Sequence, residues 1–295
     1  MLMTLSRSCV SPNSTPGHKM PNKQKVIQEN DSEADLSDKG INGLEEIPNI
    51  MYSHNLTRLT LSHNKIKSLP PSMANLSNLE QLNLCNNQIE ELPTSLSSMT
   101  RLKVLNLGLN RLHSLPRGFG AFPALEVLDL TYNFLSEKSL PANFFMLETL
   151  RALYLADNEF EYLSPDIGSL KNLQILVLRD NDLIVLPTEL GLLIRLRELH
   201  IQNNRLTVLP PELGQLDLCS HRSVVRMEGN PWVPPIADQL QIGVTHVIEY
   251  IRTDTYRFLY GRHSQTMTPS AIPPRNEERR ARKLARNKQN PYKCN

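Results

Sequence analysis

The sequence predicts an α/β solenoid, right-handed and curved, with short parallel strands along its concave wall. Three observations predict it. The pattern LxxLxLxxN recurs seven times, from LTRLTLSHN at 56–64 to LRELHIQNN at 196–204. Its closing asparagines, Asn64, Asn87, Asn110, Asn133, Asn158, Asn181 and Asn204, are separated by 23, 23, 23, 25, 23 and 23 residues. A Leu-Pro pair follows the motif at 69–70, 92–93, 115–116, 186–187 and 209–210. A fixed period of this length with this consensus is the mark of a leucine-rich repeat, a unit that buries its apolar face only by stacking on its neighbours.

The elements follow in chain order. Residues 1–30 are rich in Ser, Pro, Asn and Lys and are expected to be a disordered extension. Residues 31–55, with ADLSDKGI and LEEIPNI, read as a degenerate first turn that caps the N-terminal edge. Repeats fill 56–230. Within each, the leucines at motif positions 1, 4 and 6 point inward, each worth roughly 1.5–3 kcal/mol relative to exposure. The asparagine at position 9 must satisfy a buried amide, so a ladder of amides bonded to turn backbone is expected. The proline after each motif removes a donor, fixes φ and turns the chain to an irregular or 3₁₀ convex side. The two extra residues between Asn133 and Asn158 fall in SEKSLPANFF and predict a local bulge.

The last unit, VVRMEGNPW at 224–232, is atypical. Apolar residues then recur mostly at three- to four-residue intervals through Ile236, Leu240, Val244, Val247, Ile248, Ile251, Tyr256, Leu259 and Tyr260. This spacing predicts a helical C-terminal cap over 231–263, with Trp232 covering the last repeat. Residues 275–295 carry a net charge of +6 and the rest of the chain −4. The segment 264–295 is expected to be a disordered, solvated basic tail, with weak membrane association as its functional alternative.

Composition excludes several classes. The four cysteines have no metal-ligand spacing, and no apolar run approaches ~18 residues. No apolar signal-peptide core opens the chain, and Val233-Pro234 rather than a cysteine cluster follows Asn230-Pro-Trp. These features predict a cytoplasmic location. No P-loop, GxGxxG, HExxH or GxSxG is present, so no enzyme, cofactor or metal site is expected.

Positions 3, 5 and 7 alternate with the leucines and face the concave wall, with position 8 at its rim. The wall and rim combine an apolar strip (Val104, Val127, Ala152, Ile175) with tyrosines and carboxylates, the make-up of a protein interface. The candidate partner-binding residues are Asn83, Asn106, Asp129, Thr131, Tyr132, Tyr154, Asp157, Arg179, Asp180 and His200. Tyr132, Tyr154 and Arg179 are the expected anchors by residue type. Asp129, in the middle of the wall, is the expected partner of a cation or backbone donor.

The segments GLNRLHSLPRGFGAFPALEVLDLTYN, LHIQNNRLTVLPPELG, NPWVPPIADQ and YIRTDTYRFLYGRH resemble the Ras suppressor protein family of intracellular leucine-rich repeat proteins. The resemblance covers about 30–262, and the cap segment is its most specific part. It implies a non-catalytic adaptor that binds the last LIM domain of a PINCH-type protein. Through that protein it implies a link to integrin-linked kinase and parvin at cell–matrix adhesions, and to Ras-pathway signalling. The zinc of such a complex belongs to the LIM partner. The alternative is a scaffold that binds a small GTPase or a phosphatase subunit directly. A monomer is expected, and no nucleic-acid partner.

Overall fold

The computed structural model describes residues 31–265 and 273–289. The expected N-terminal extension lies outside the described residues, as do 266–272 and 290–295 of the expected tail. Nine three-residue strands form one parallel sheet in strict sequence order. They are β1 (Glu33–Asp35), β2 (Arg58–Thr60), β3 (Gln81–Asn83), β4 (Val104–Asn106) and β5 (Val127–Asp129). The remainder are β6 (Ala152–Tyr154), β7 (Ile175–Val177), β8 (Glu198–His200) and β9 (Val224–Arg226). The strands pair leucine to leucine: Leu82 opposite Leu105, Leu105 opposite Leu128, Leu128 opposite Leu153. A parallel sheet with one wholly apolar face must be covered on that face, and here the returning turns of the repeats cover it. Leu105, Leu128 and Leu153 are fully buried.

Each strand ends for a local reason. The residue at position 8 adopts a left-handed backbone in every motif, with φ from 51° at Asp157 to 59° at His63 and Tyr132. A left-handed residue breaks the extended run and turns the chain over the edge of the sheet. The asparagine that follows then locks the turn. Asn133 donates from Nδ2 to the carbonyls of Leu107 and Leu130 at 3.0 Å and accepts at Oδ1 from the Leu112 N–H at 3.0 Å. Asn158 makes the same three bonds one repeat on, and Asn230 makes them in the atypical last unit. The ladder thus ties each repeat to the one before it through groups that would otherwise be buried without partners.

The convex side consists of 3₁₀ turns such as Pro71–Asn75, Thr94–Ser98 and Thr188–Leu192, each entered from a proline in extended conformation. SEKSLPANFF forms two short 3₁₀ turns, Glu137–Ser139 and Phe144–Met146. Ser139 accepts from Leu115 N–H through its carbonyl and donates through its hydroxyl to the carbonyl of His113, which fastens the bulge to the preceding repeat.

The C-terminal cap is three helices, α1 (Pro234–Ile242), α2 (Val244–Ile251) and α3 (Asp254–Gln265). Ile236, Val247, Ile248, Ile251 and Tyr256 join the repeat core. The Tyr256 hydroxyl donates to the Leu209 carbonyl at 2.6 Å and accepts from the Leu209 N–H at 2.9 Å, so one side chain closes the open end of the last turn. Trp232 donates from Nε1 to the Met227 carbonyl at 2.9 Å.

The expected disordered tail is corrected over part of its length. Residues Asn276–Gln289 form a fourth helix, α4, and α3 continues two residues past the expected end of the cap. The segment NEERRARKLARNKQ has good helix formers and two acids, Glu277 and Glu278, in the first turn, but no apolar stripe. Without a stripe the sequence offers no sign of docking. The helix is held instead by charge, against the edge where the strands end.

Candidate functional site

Two surfaces emerge from the ten candidate residues. The first is the concave wall, with Asn83, Asn106, Asp129, Thr131, Tyr154 and His200. The second is the edge at the strand ends, with Tyr132, Asp157 and Asp180, bridged to the wall by Arg179.

On the wall, position 5 has a structural duty that the sequence reading did not assign. The Oδ1 atoms of Asn83, Asn106 and Asp129 accept the backbone N–H two residues on, from Cys85, Gly108 and Thr131, at 2.9–3.0 Å. Three adjacent repeats share this Asx turn, which explains an amide or carboxylate at each place. Asp129 therefore uses one oxygen to hold its own strand end, which fixes the carboxylate for a partner. A Cβ at Gly108 would lie 3.5 Å from both Asp129 oxygens, so the glycine keeps the space beside the carboxylate open.

Tyr154 is half-buried beside Asp129. Burial pushes its phenol pKa up, and Glu198 and Asp129 add to the effect. At the C-terminal end of the wall, burial pushes the His200 imidazole down, with Arg226 adding to it. His200 Nε2 and Gln202 Oε1 are buried with no hydrogen-bond partner among the described residues. Positions 5 and 7 share a face, so both unmet groups belong to the same stretch of wall. A buried donor or acceptor left unmade costs free energy that an incoming polar group recovers.

On the edge, the charges are already organised. Arg179 Nη1 donates to Asp180 Oδ2 at 2.6 Å and to Asp157 Oδ2 at 3.4 Å, and Asn203 Nδ2 reaches Asp180 Oδ1 at 3.0 Å. Arg179, an expected anchor by residue type, holds two carboxylates together. Burial raises the Asp157 carboxyl pKa, and the neighbouring Asp180 raises it further.

The rest of this surface was missed by sequence reasoning. Glu159 and Asp182, at position 10, are buried, and α4 lies on them. Asp182 accepts the Arg275 N–H at 3.1 and 3.0 Å and pairs with Arg279 at 3.2 Å. Arg279 donates to the Asn181 carbonyl at 2.6 Å. Arg280 grips Glu159 through both Nε and Nη2. Lys283 is buried, with Nζ donating to the carbonyls of Asn133 and Asp157 and standing 5.2 Å from the Tyr132 ring and 5.3 Å from the Phe134 ring. A signal existed in the column itself. Position 10 runs Lys65, Gln88, Arg111, Phe134, Glu159, Asp182, Arg205, an aromatic and two acids bracketed by arginines.

Among the described residues, no group of histidines, cysteines and carboxylates is arranged to hold a metal ion, and no helix is long and apolar enough to cross a membrane.

Comparison with known proteins agrees with the repeat architecture and narrows it. Leucine rich repeat family models match residues 54–112, 77–135, 100–160 and 195–216. Ras suppressor protein 1 of Homo sapiens is 62% identical over 267 residues, 89% of this chain and 95% of the relative. The Bos taurus and Mus musculus proteins of the same name are 61% and 58% identical over the same shares. Among solved structures, a leucine-rich repeat protein of Leptospira interrogans matches with a TM-score of 0.56 at 31% identity, covering 71% of this chain and 57% of that one. A TDR receptor matches with a TM-score of 0.58 at 28% identity, covering 68% of this chain and 35% of that one.

Proposed function

The chain belongs to the Ras suppressor protein family, a family of non-enzymatic repeat scaffolds, and from that premise we propose that its concave wall holds the last LIM domain of a PINCH-type protein. In this reading the chain is a cytoplasmic adaptor at cell–matrix adhesions. It connects integrin-linked kinase and parvin, through the LIM protein, to Ras-pathway signalling.

The observation that carries the reading is the state of the wall. A fixed carboxylate at Asp129, a half-buried Tyr154 beside it, an apolar strip, and unmet polar atoms at His200 and Gln202 lie along one continuous face. That is a patch with anchors at its centre and polar groups waiting at one end.

The test is calorimetric titration of the full chain with the last LIM domain of a PINCH-type protein. Asp129→Asn is the sharp variant, because its Oδ1 still accepts the Thr131 N–H while the charge is gone. Tight wild-type binding, weakened about tenfold or more by Asp129→Asn and by Tyr154→Ala, supports the proposal. Binding that both variants leave unchanged moves the site off the wall. Absence of wild-type binding sinks the LIM reading and turns the search to a small GTPase or phosphatase subunit bound directly.

A further inference from the structure

We propose that the strand-end edge of the fourth to sixth repeats is a second protein-binding site, shaped for a basic helix of a partner, and that α4 is its releasable occupant within the chain. The inference does not depend on what binds the wall.

The edge is a built receptor for cations. It presents Asp157, Glu159, Asp180 and Asp182 from two adjacent repeats, with Arg179 as the wall-side counter-charge. It also presents backbone carbonyls of Asn133, Asp157 and Asn181, which receive Lys283 and Arg279. Tyr132 and Phe134 supply aromatic rings to the ammonium. Four carboxylates this close repel one another, so the edge without an occupant is unfavourable and selects for positive charge.

The helix lies across the repeats. Arg279 meets Asp182 of the sixth repeat, the adjacent Arg280 meets Glu159 of the fifth, and Lys283 reaches the Asp157 and Asn133 carbonyls of the fifth and fourth, so the basic groups step backward through the repeats. The recognised pattern is Arg-Arg-x-x-Lys, as in Arg279, Arg280 and Lys283. Any helix with that spacing and a compatible outer face meets the same groups.

The occupant is made to leave. The helix contains three apolar residues, Ala281, Leu284 and Ala285, and Leu284 is 53% exposed. Its hold is charge on charge, with little apolar area removed from water, and the exposed Arg280 end of that hold weakens with salt while the buried Arg279–Asp182 pair is screened less. Burial of Lys283 and Arg279 opposes that hold, since desolvation disfavours both cations. Departure of α4 uncovers Tyr132 and Asp157, the rim of the wall, so the two surfaces are neighbours that one segment masks in part.

The experiment uses the full chain and an Arg280→Glu, Lys283→Glu double variant of it, with circular dichroism confirming the repeat fold in both. Hydrogen exchange reads the amides of 276–289. A labelled peptide of residues 275–289 and an alanine-based helical peptide carrying only Arg-Arg-x-x-Lys serve as probes, with a scrambled peptide of equal charge as control. The expected result is protected amides in the wild type and loss of protection in the variant. Both probes should then bind the variant at least tenfold tighter than the wild type, and tighter than the scrambled control. Probes that bind neither chain, or both alike, overturn the proposal, as do unprotected wild-type amides. Equal binding by the scrambled control reduces the edge to a nonspecific acidic patch and also overturns it. A wild type that sediments as a dimer while the variant is a monomer makes α4 a swapped element between copies and overturns release within one chain.

Discussion

At position 9 each repeat spends one side chain on three buried hydrogen bonds. Asn158 is fully buried, and Asn158→Ala strands the N–H of Leu135 while the carbonyls of Leu130 and Leu155 each keep one donor, from Asn133 and Asn181. At ~1–3 kcal/mol for a buried group left unmet, the substitution should cost about 2 kcal/mol. Urea unfolding measures this, and a loss below about 1 kcal/mol would remove the ladder from the account. Position 8 carries the opposite sign. Leu109 sits at φ 56°, where an ordinary side chain is strained by roughly 1 kcal/mol and asparagine is tolerated. Leu109→Asn should raise the urea midpoint by an amount equivalent to about 0.5–1 kcal/mol. An unchanged or lowered midpoint would mean that Leu109 packing outweighs its backbone strain.

Among the elements, the cap shows how a repeat array is closed. A solenoid ends with an apolar face and unpaired turn groups, and a terminal element must cover both. The helices α1 to α3 do so with an apolar inner face and one buried hydroxyl. Burial pushes the Tyr256 phenol far above its ordinary value, so it stays neutral and can donate and accept at once. Tyr256→Phe keeps the ring and leaves both Leu209 backbone groups unmet. The expected loss is about 1–3 kcal/mol, with faster exchange at the amides of 205–216. Equal protection in that stretch would show that the cap is held by apolar packing alone. Repeats, strand positions and the helical cap were legible because each follows a period in the local sequence. The Asx turns of Asn83, Asn106 and Asp129 were half legible: the residue types repeat, but their backbone partners appear only once the strand ends are in place.

At the scale of the whole molecule, the basic C-terminal segment and the acidic edge neutralise one another across long separations in sequence, 121 residues from Glu159 to Arg280. This contact has a pH signature. Lys283 is faced by Asp157 and Glu159 from the edge and by Arg279 and Arg280 on its own helix, and burial outweighs the two acids, lowering its pKa to about 8 from 10.5. The docked state therefore binds fewer protons than the released state between those two values. Docking should strengthen as pH rises through that window, approaching roughly tenfold per pH unit in its middle, and should not change through Lys283 below pH 8. The measurement is energy transfer between dyes on α4 and on the fourth repeat, in an Arg280→Ala background that populates both states. Adding Lys283→Met should flatten the profile; a slope that survives it assigns the effect to another group.

The sequence by itself determined the solenoid, its inward leucines, its asparagine ladder and the residues that face the wall. All of these follow from contacts between units one period apart, and a fixed period is visible in one dimension. Only the tertiary structure decided the fate of the basic segment and of the edge. A helix without an apolar stripe carries no local sign of burial, and Glu159 and Asp182 look like solvated charges until Arg280 and Arg279 arrive from about a hundred residues away. What joins them is the crossing of one helix over the ends of three repeats, a relation that exists only after both have been placed in space.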